Sequence, residues 1–313
     1  MIDGPLILVR FALYLVLMLF FGIALYGAPD GPRNARSADA GAMSLRVPGG
    51  LLGLAAIMLS GLSLALIAAG MSGVPLAELE WSSVAILLTG TSLGLTVKLR
   101  IAALIVALAC AMLATHLRSI ARWGMVVAGG LALATLAWTG HAAASEGNLG
   151  LLHMAADIVH LLAAGAWLGA LAALFWRLSR IGASGDVAAD LRVAHGALSR
   201  FSLAGTIIVG LIVITGLVNS FVLVGPANLL SLPAGRYGQL LLAKLALFLL
   251  MLALASSNRW RLTPRLEAAL ATGAHAGAVG DLRRSLLMET LAAVAILALV
   301  AWLGTLAPPM SGE

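Results

Sequence analysis

In the stretch LLHMAADIVHLLAAGAWLGA, residues 151–170, His153, Asp157 and His160 are spaced i, i+4 and i+7. That spacing puts all three on one face of a helix, and Ala164 and Trp167 continue the stripe. A further histidine, His141, precedes them in WTGHAAASEG, where a short loop would make its helix a neighbour. Neutral imidazoles with a carboxylate suit a borderline transition metal such as copper or zinc. Met154, beside His153, offers a thioether of the kind Cu(I) accepts, and Met71 is the other candidate sulfur. Two rival readings use the same residues. The histidines can hydrogen-bond between helices while Asp157 pairs with a cation, or histidines on adjacent helices can hold a b-type haem.

The elements that must position these residues are membrane helices. Of 313 residues, 61% are hydrophobic and 10% charged, and the mean hydropathy of +1.04 lies well outside the range of soluble globular chains. The expected fold is therefore all-α, a polytopic transmembrane helix bundle with the lipid bilayer as its first partner. A net charge of +6 fits basic residues gathered on the cytoplasmic face and calls for no nucleic acid. One cysteine, Cys110, excludes an intrachain disulfide and any CxxC motif. There is no GxxxxGK[ST] loop to drive a nucleotide pump and no nucleophile–base pairing, so the reading is not an enzyme. The first apolar run, Leu6 to Gly27, lacks a basic leader and reads as a retained span rather than a cleaved signal.

A span needs roughly 20 apolar residues. Seven are clear, at about 6–27, 49–71, 122–141, 152–176, 200–224, 238–257 and 286–306, while 81–117 is ambiguous because Lys98 and Arg100 interrupt it. Charge decides between one span and two there. With eight spans, the loops that hold Arg33, Arg118, Arg177, Arg259 and their basic neighbours share one side, and Glu78, Glu80, Glu146 and Glu313 fall on the other. A ninth span would destroy that asymmetry. Residues 81–90 are thus expected to form a short outer interfacial or re-entrant helix and about 92–117 the third span, with both termini periplasmic. The connections near 27–48 and 258–285 are too short for a separate domain, so residues 1–313 read as one transmembrane domain.

Ionisable and polar groups inside spans count as functional candidates. Arg10, Lys98, Arg100 and Lys244 fall in the outer half of the membrane, where snorkelling, neutralisation by Asp157 and other acceptors, or an anionic group such as a haem propionate would each account for them. Asn219, deep in the sixth span, and Glu289, one turn into the last, are candidates for an inner path; hydrogen bonding between helices and pairing with the adjacent loop arginines are their structural alternatives. Trp167 lies between Gly165 and Gly169, a GxxxG pattern that favours close helix packing.

The strings DIVHLLAAGAWLGALAAL (157–174), RFSLAGTIIVGLIVITGLVNSFVLVG (200–225) and RYGQLLLAKLALFLLMLALASSNRWRLTPRL (236–266) resemble the CopD family of bacterial copper-resistance and copper-homeostasis membrane proteins. GHA at 140–142, TSLGLTVKLR at 91–100 and the glutamate of the last span agree, and the resemblance covers about residues 5–307. It implies an inner-membrane protein of eight spans linked to copper uptake, often working with a periplasmic copper-binding protein of the CopC type. Carried over by position, the family's histidines correspond to His141, His153 and His160, with Asp157 where some relatives have histidine. Some members also have a histidine after RF in the first span, whereas Arg10 and Phe11 are followed here by Ala12 and Leu13. Three functions follow as expectations: a transporter of Cu(I) or Cu(II), a haem b redox protein, or a membrane receptor that docks a copper chaperone.

Overall fold

A computed structural model describes residues 3–26, 35–113, 118–140, 147–181, 187–272 and 275–309. Among these residues every regular element is helical. In chain order they are α1 (Asp3–Tyr26), α2 (Ala35–Ser72), α3 (Trp81–Gly90), α4 (Ser92–Leu113), α5 (Arg118–Ala134), α6 (Gly147–Ser179), α7 (Val187–Val224), α8 (Arg236–Ser257), α9 (Thr263–Thr272) and α10 (His275–Leu303). Among the described residues, eight helices are long and apolar enough to cross a membrane, as the hydropathy pattern predicts.

The ambiguous region resolves as the charge bias predicts. α3 has ten residues, too few to span, and α4 follows it after one residue. Val84 and Leu87 of α3 are buried against Leu64 and Ala68 of α2 and Val97 of α4. The turn between α3 and α4 is tight because of Gly94, where a Cβ would lie 2.2 Å from the Leu87 carbonyl oxygen. The connection at 258–285 differs from expectation. It is largely helical, with a π-turn at Asn258–Leu262, then α9, and α10 beginning at His275 rather than near 286. Continuing the helix keeps its backbone groups paired close to the membrane.

α1 is the axis of the bundle, packing against α2, α5, α6 and α10. Leu17 and Phe20 on it are almost fully buried. Its closest approach is to α6: a Cβ on Gly22 would lie 2.4 Å from the Gly169 Cα, and one on Gly169 would lie 2.2 Å from the Gly22 Cα. Gly165 is the other small residue of this crossing, so the GxxxG pattern is a packing surface as read. The obstructing atoms are backbone and cannot rotate away. Gly169→Ala is therefore expected to cost about 3 kcal/mol by overpacking, measured as a lower thermal unfolding midpoint of the purified protein; an unchanged midpoint would contradict this geometry.

Candidate functional site

The polar residues of α6 face a cavity of about 170 Å3 enclosed by α1, α6, α7, α8 and α10. His153, Asp157 and His160 all line it, as their common helix face requires. α1 contributes Arg10 and Tyr14, α7 Asn219 and Ser220, and α8 Tyr237 and Lys244. His153 is 1% exposed, so it lies within the protein rather than at its surface. Asp157 accepts a hydrogen bond from Asn219 Nδ2 at 3.3 Å, which joins α6 to α7, and it attracts Lys244 across the cavity.

His160 is held in a defined state by a residue with no obvious sequence signal. Its Nδ1 lies 2.9 Å from Thr215 Oγ1. The Thr215 hydroxyl donates to the Leu211 carbonyl oxygen at 2.5 Å, one turn earlier in α7. With that proton committed, the hydroxyl oxygen is left to accept from Nδ1–H of His160, and the neutral ring then carries its free lone pair on Nε2. This is how a partner hydrogen bond prepares an imidazole to ligate a metal. A threonine in an apolar run reads as a helix residue that bonds its own backbone, and nothing in the sequence links Thr215 to His160.

Other candidates fall elsewhere. His141 lies outside the described residues; Gly140, next to it, lines the cavity, and its Cβ position is 3.9 Å from Asp157 Oδ2. Met154 is half-buried against the apolar core, and Met71 is exposed at the end of α2. Lys98 is exposed. Arg100 is not a snorkelling residue: it is 1% exposed, and its Nε donates to Thr135 Oγ1 at 2.7 Å. Arg10 donates to the backbone oxygens of Thr139, at 2.8 Å, and Gly304. Two of the four outer-half cations are thus satisfied by backbone and hydroxyl oxygens. Among the described residues, no group of three His, Cys, Asp or Glu side chains stands at metal-holding distance.

The cavity does not end at His160. A larger space of about 490 Å3, lined mostly by apolar side chains, shares His160, Ala164 and Lys244 with the first and reaches Trp167. A third, of about 460 Å3, begins at Trp167 and contains Asn258 and Glu289. α6 lines all three, and the ten residues from Asp157 to Trp167 span about 15 Å along its axis. Glu289 is 2% exposed. Its carboxylate accepts from Asn258 Nδ2 at 2.8 Å, not from the loop arginines; Arg283 donates instead to the Leu178 carbonyl. Asn258, which hydropathy places in a connection, opens the π-turn and is buried.

Residues 1–151 match the family described as copper resistance protein D-like, N-terminal domain, and residues 195–303 match the family described as copper resistance protein D. The chain is 40% identical to copper resistance protein D of Pseudomonas syringae pv. tomato over 98% of both proteins. It is 32% identical to inner membrane protein YebZ of Escherichia coli (strain K12), covering 42% of this chain and 43% of the relative. It is 37% identical to copper transport protein CutJ of Bacillus subtilis (strain 168), covering 41% of this chain and 22% of the relative. No solved structure is significantly similar. Eight apolar helices, matches across both halves of the chain and a relative aligned end to end establish a multi-pass inner-membrane protein that belongs to the copper resistance protein D family.

Proposed function

We propose that this protein carries copper across the inner membrane, from the periplasmic face to the cytoplasm. The metal is captured by His153 and His160 with Asp157, and His141 and Met154 extend the ligand set. The observation that carries the reading is the series of three cavities along α6, in which His160 belongs to the first two and Trp167 to the last two. A docking receptor needs no such internal series. The copper names of the relatives support the cargo; Cu(I) and Cu(II) both accept imidazole. A periplasmic copper-binding protein of the CopC type would deliver the metal to the end of α6 that carries His153. All residues 1–313 act here as one transmembrane domain.

The test is copper accumulation by sealed vesicles that contain only the purified protein. Uptake above that of protein-free vesicles is expected, and equal uptake would overturn the reading in favour of a receptor. A visible spectrum of the same preparation decides the haem alternative: a Soret band lost on His160→Ala would assign the histidines to haem b, for which Arg10 and Lys244 would face the propionates.

Thr215→Val keeps the shape of the side chain and removes the oxygen that holds His160 Nδ1. It is expected to weaken copper binding by about 10- to 100-fold, the usual effect of losing a partner of a ligating histidine. Equilibrium competition with a calibrated copper chelator measures this, and Thr215→Ser is expected to restore most of the affinity.

A further inference from the structure

The third cavity contains a buried carboxylate whose surroundings are incomplete. Among the described residues, no Lys, Arg or His nitrogen lies within 4.0 Å of the Glu289 carboxylate. Among the described residues, the other charged residue lining this cavity is Arg259. Its guanidinium donates to Thr206 Oγ1 at 2.5 Å and sits 4.9 Å from the ring centroid of Trp260. From α6, Trp167 lines the same cavity, and its buried indole N–H makes no hydrogen bond among the described residues. Among the described residues, α7 and α8 add no ionisable side chain to this cavity. A carboxylate withdrawn from water without a cation is costly, and membrane proteins retain such groups where they bind or move charge.

Two buried oxygens, one beside Glu289 and one a helical turn away on α10, lack hydrogen-bond partners among the described residues. Asn258 uses Nδ2 on Glu289, yet its Oδ1 is buried and unbonded. Ser285 Oγ, one helical turn before Glu289 on α10, is likewise buried and unbonded. Asn258 and Ser285 are each 7% exposed. Amide, hydroxyl and carboxylate oxygens form a hard donor set, and among the described residues no imidazole, thiolate or thioether lines this cavity. Asn258 also opens a π-turn, a distortion of regular helix that often marks a functional position.

We propose that Glu289 and Asn258 form a second, oxygen-lined site at the far end of the cavity series, which takes a hard monovalent cation, a proton or sodium, and not copper. A proton on the carboxyl group would be a donor for Asn258 Oδ1, whereas a sodium ion would be held by the same oxygens. Binding at this site stands on its own. Its use as the ion that drives copper movement rests on the transport reading above.

Infrared difference spectroscopy of the purified full chain, free of copper, tests the site without measuring transport. At neutral pH in potassium buffer the wild type is expected to show the carbonyl stretch of a buried protonated carboxyl group. Glu289→Gln is expected to lack it, and Asp281→Asn, which alters an exposed carboxylate on the same helix, to keep it. Loss of the band on exchange of potassium for sodium, or a carboxylate difference signal produced by sodium alone, assigns the sodium form; a band indifferent to sodium assigns the proton. Asn258→Ala keeps the carboxyl group and is expected to raise the carbonyl frequency by removing its hydrogen bond, an effect separable from misfolding because the amide bands are recorded in the same spectrum. Absence of any carboxyl or sodium-dependent signal from the wild type, or a signal that survives in Glu289→Gln, would overturn the assignment.

Discussion

Replacing both His153 and His160 by alanine is expected to reduce copper uptake by at least about 100-fold, beyond the 10- to 100-fold loss expected for disturbing an outer partner of a ligand. The double variant is the informative one because a single substitution leaves an imidazole and a carboxylate facing the same cavity. Alanine is the strongest helix former, so α6 should persist. Removing the buried His153 ring leaves a void that costs stability, so folding of the double variant is checked by its thermal unfolding midpoint. Initial uptake rates, normalised to the amount of protein inserted in the vesicles, measure the effect. Uptake by the double variant at the wild-type rate would remove these residues from the path.

The shared cavity of these two histidines is partly legible in the sequence. Spacing alone put His153, Asp157 and His160 on one face, and that face lines one cavity. Loop charges alone chose eight spans, because Lys98 and Arg100 interrupt an apolar run without carrying the chain across a second time. Helical periodicity says which residues of one helix point together; it says nothing about which residue of another helix meets them. Thr215, which holds His160, and Gly22, which lets α1 reach Gly169, therefore emerge only when helices are packed. Asn258 was hidden for a different reason. Hydropathy ends the seventh span near residue 257, and a polar residue just beyond an apolar run reads as connection. The π-turn continues the helix there and turns the amide towards Glu289. Arg100 shows the same limit from the other side: a lone cation in a span suggests snorkelling, but a threonine at the end of α5 offers its hydroxyl instead.

Asp157→Asn is expected to combine a loss of copper capture with a loss of stability, and Lys244 is the reason. The two residues line the same cavity and attract each other. An asparagine can still receive the Asn219 amide, so the interhelical hydrogen bond need not be lost. What disappears is the negative charge facing Lys244 in a shared, partly exposed cavity, and losing a charge partner more than 4.0 Å away is expected to cost about 1 kcal/mol. Lys244→Met in the Asp157→Asn background removes the stranded ammonium and is expected to recover most of that stability, although not copper binding. Lys244→Met alone separates the two effects further. The lysine is a tethered cation competing with the metal for Asp157, so its removal is expected to tighten copper binding by about tenfold, ~1.4 kcal/mol. Thermal unfolding of the four proteins gives the stability cycle, and chelator competition gives the affinities. If Lys244→Met weakens copper binding, the lysine helps to hold the site together and its ammonium does not compete with the cargo.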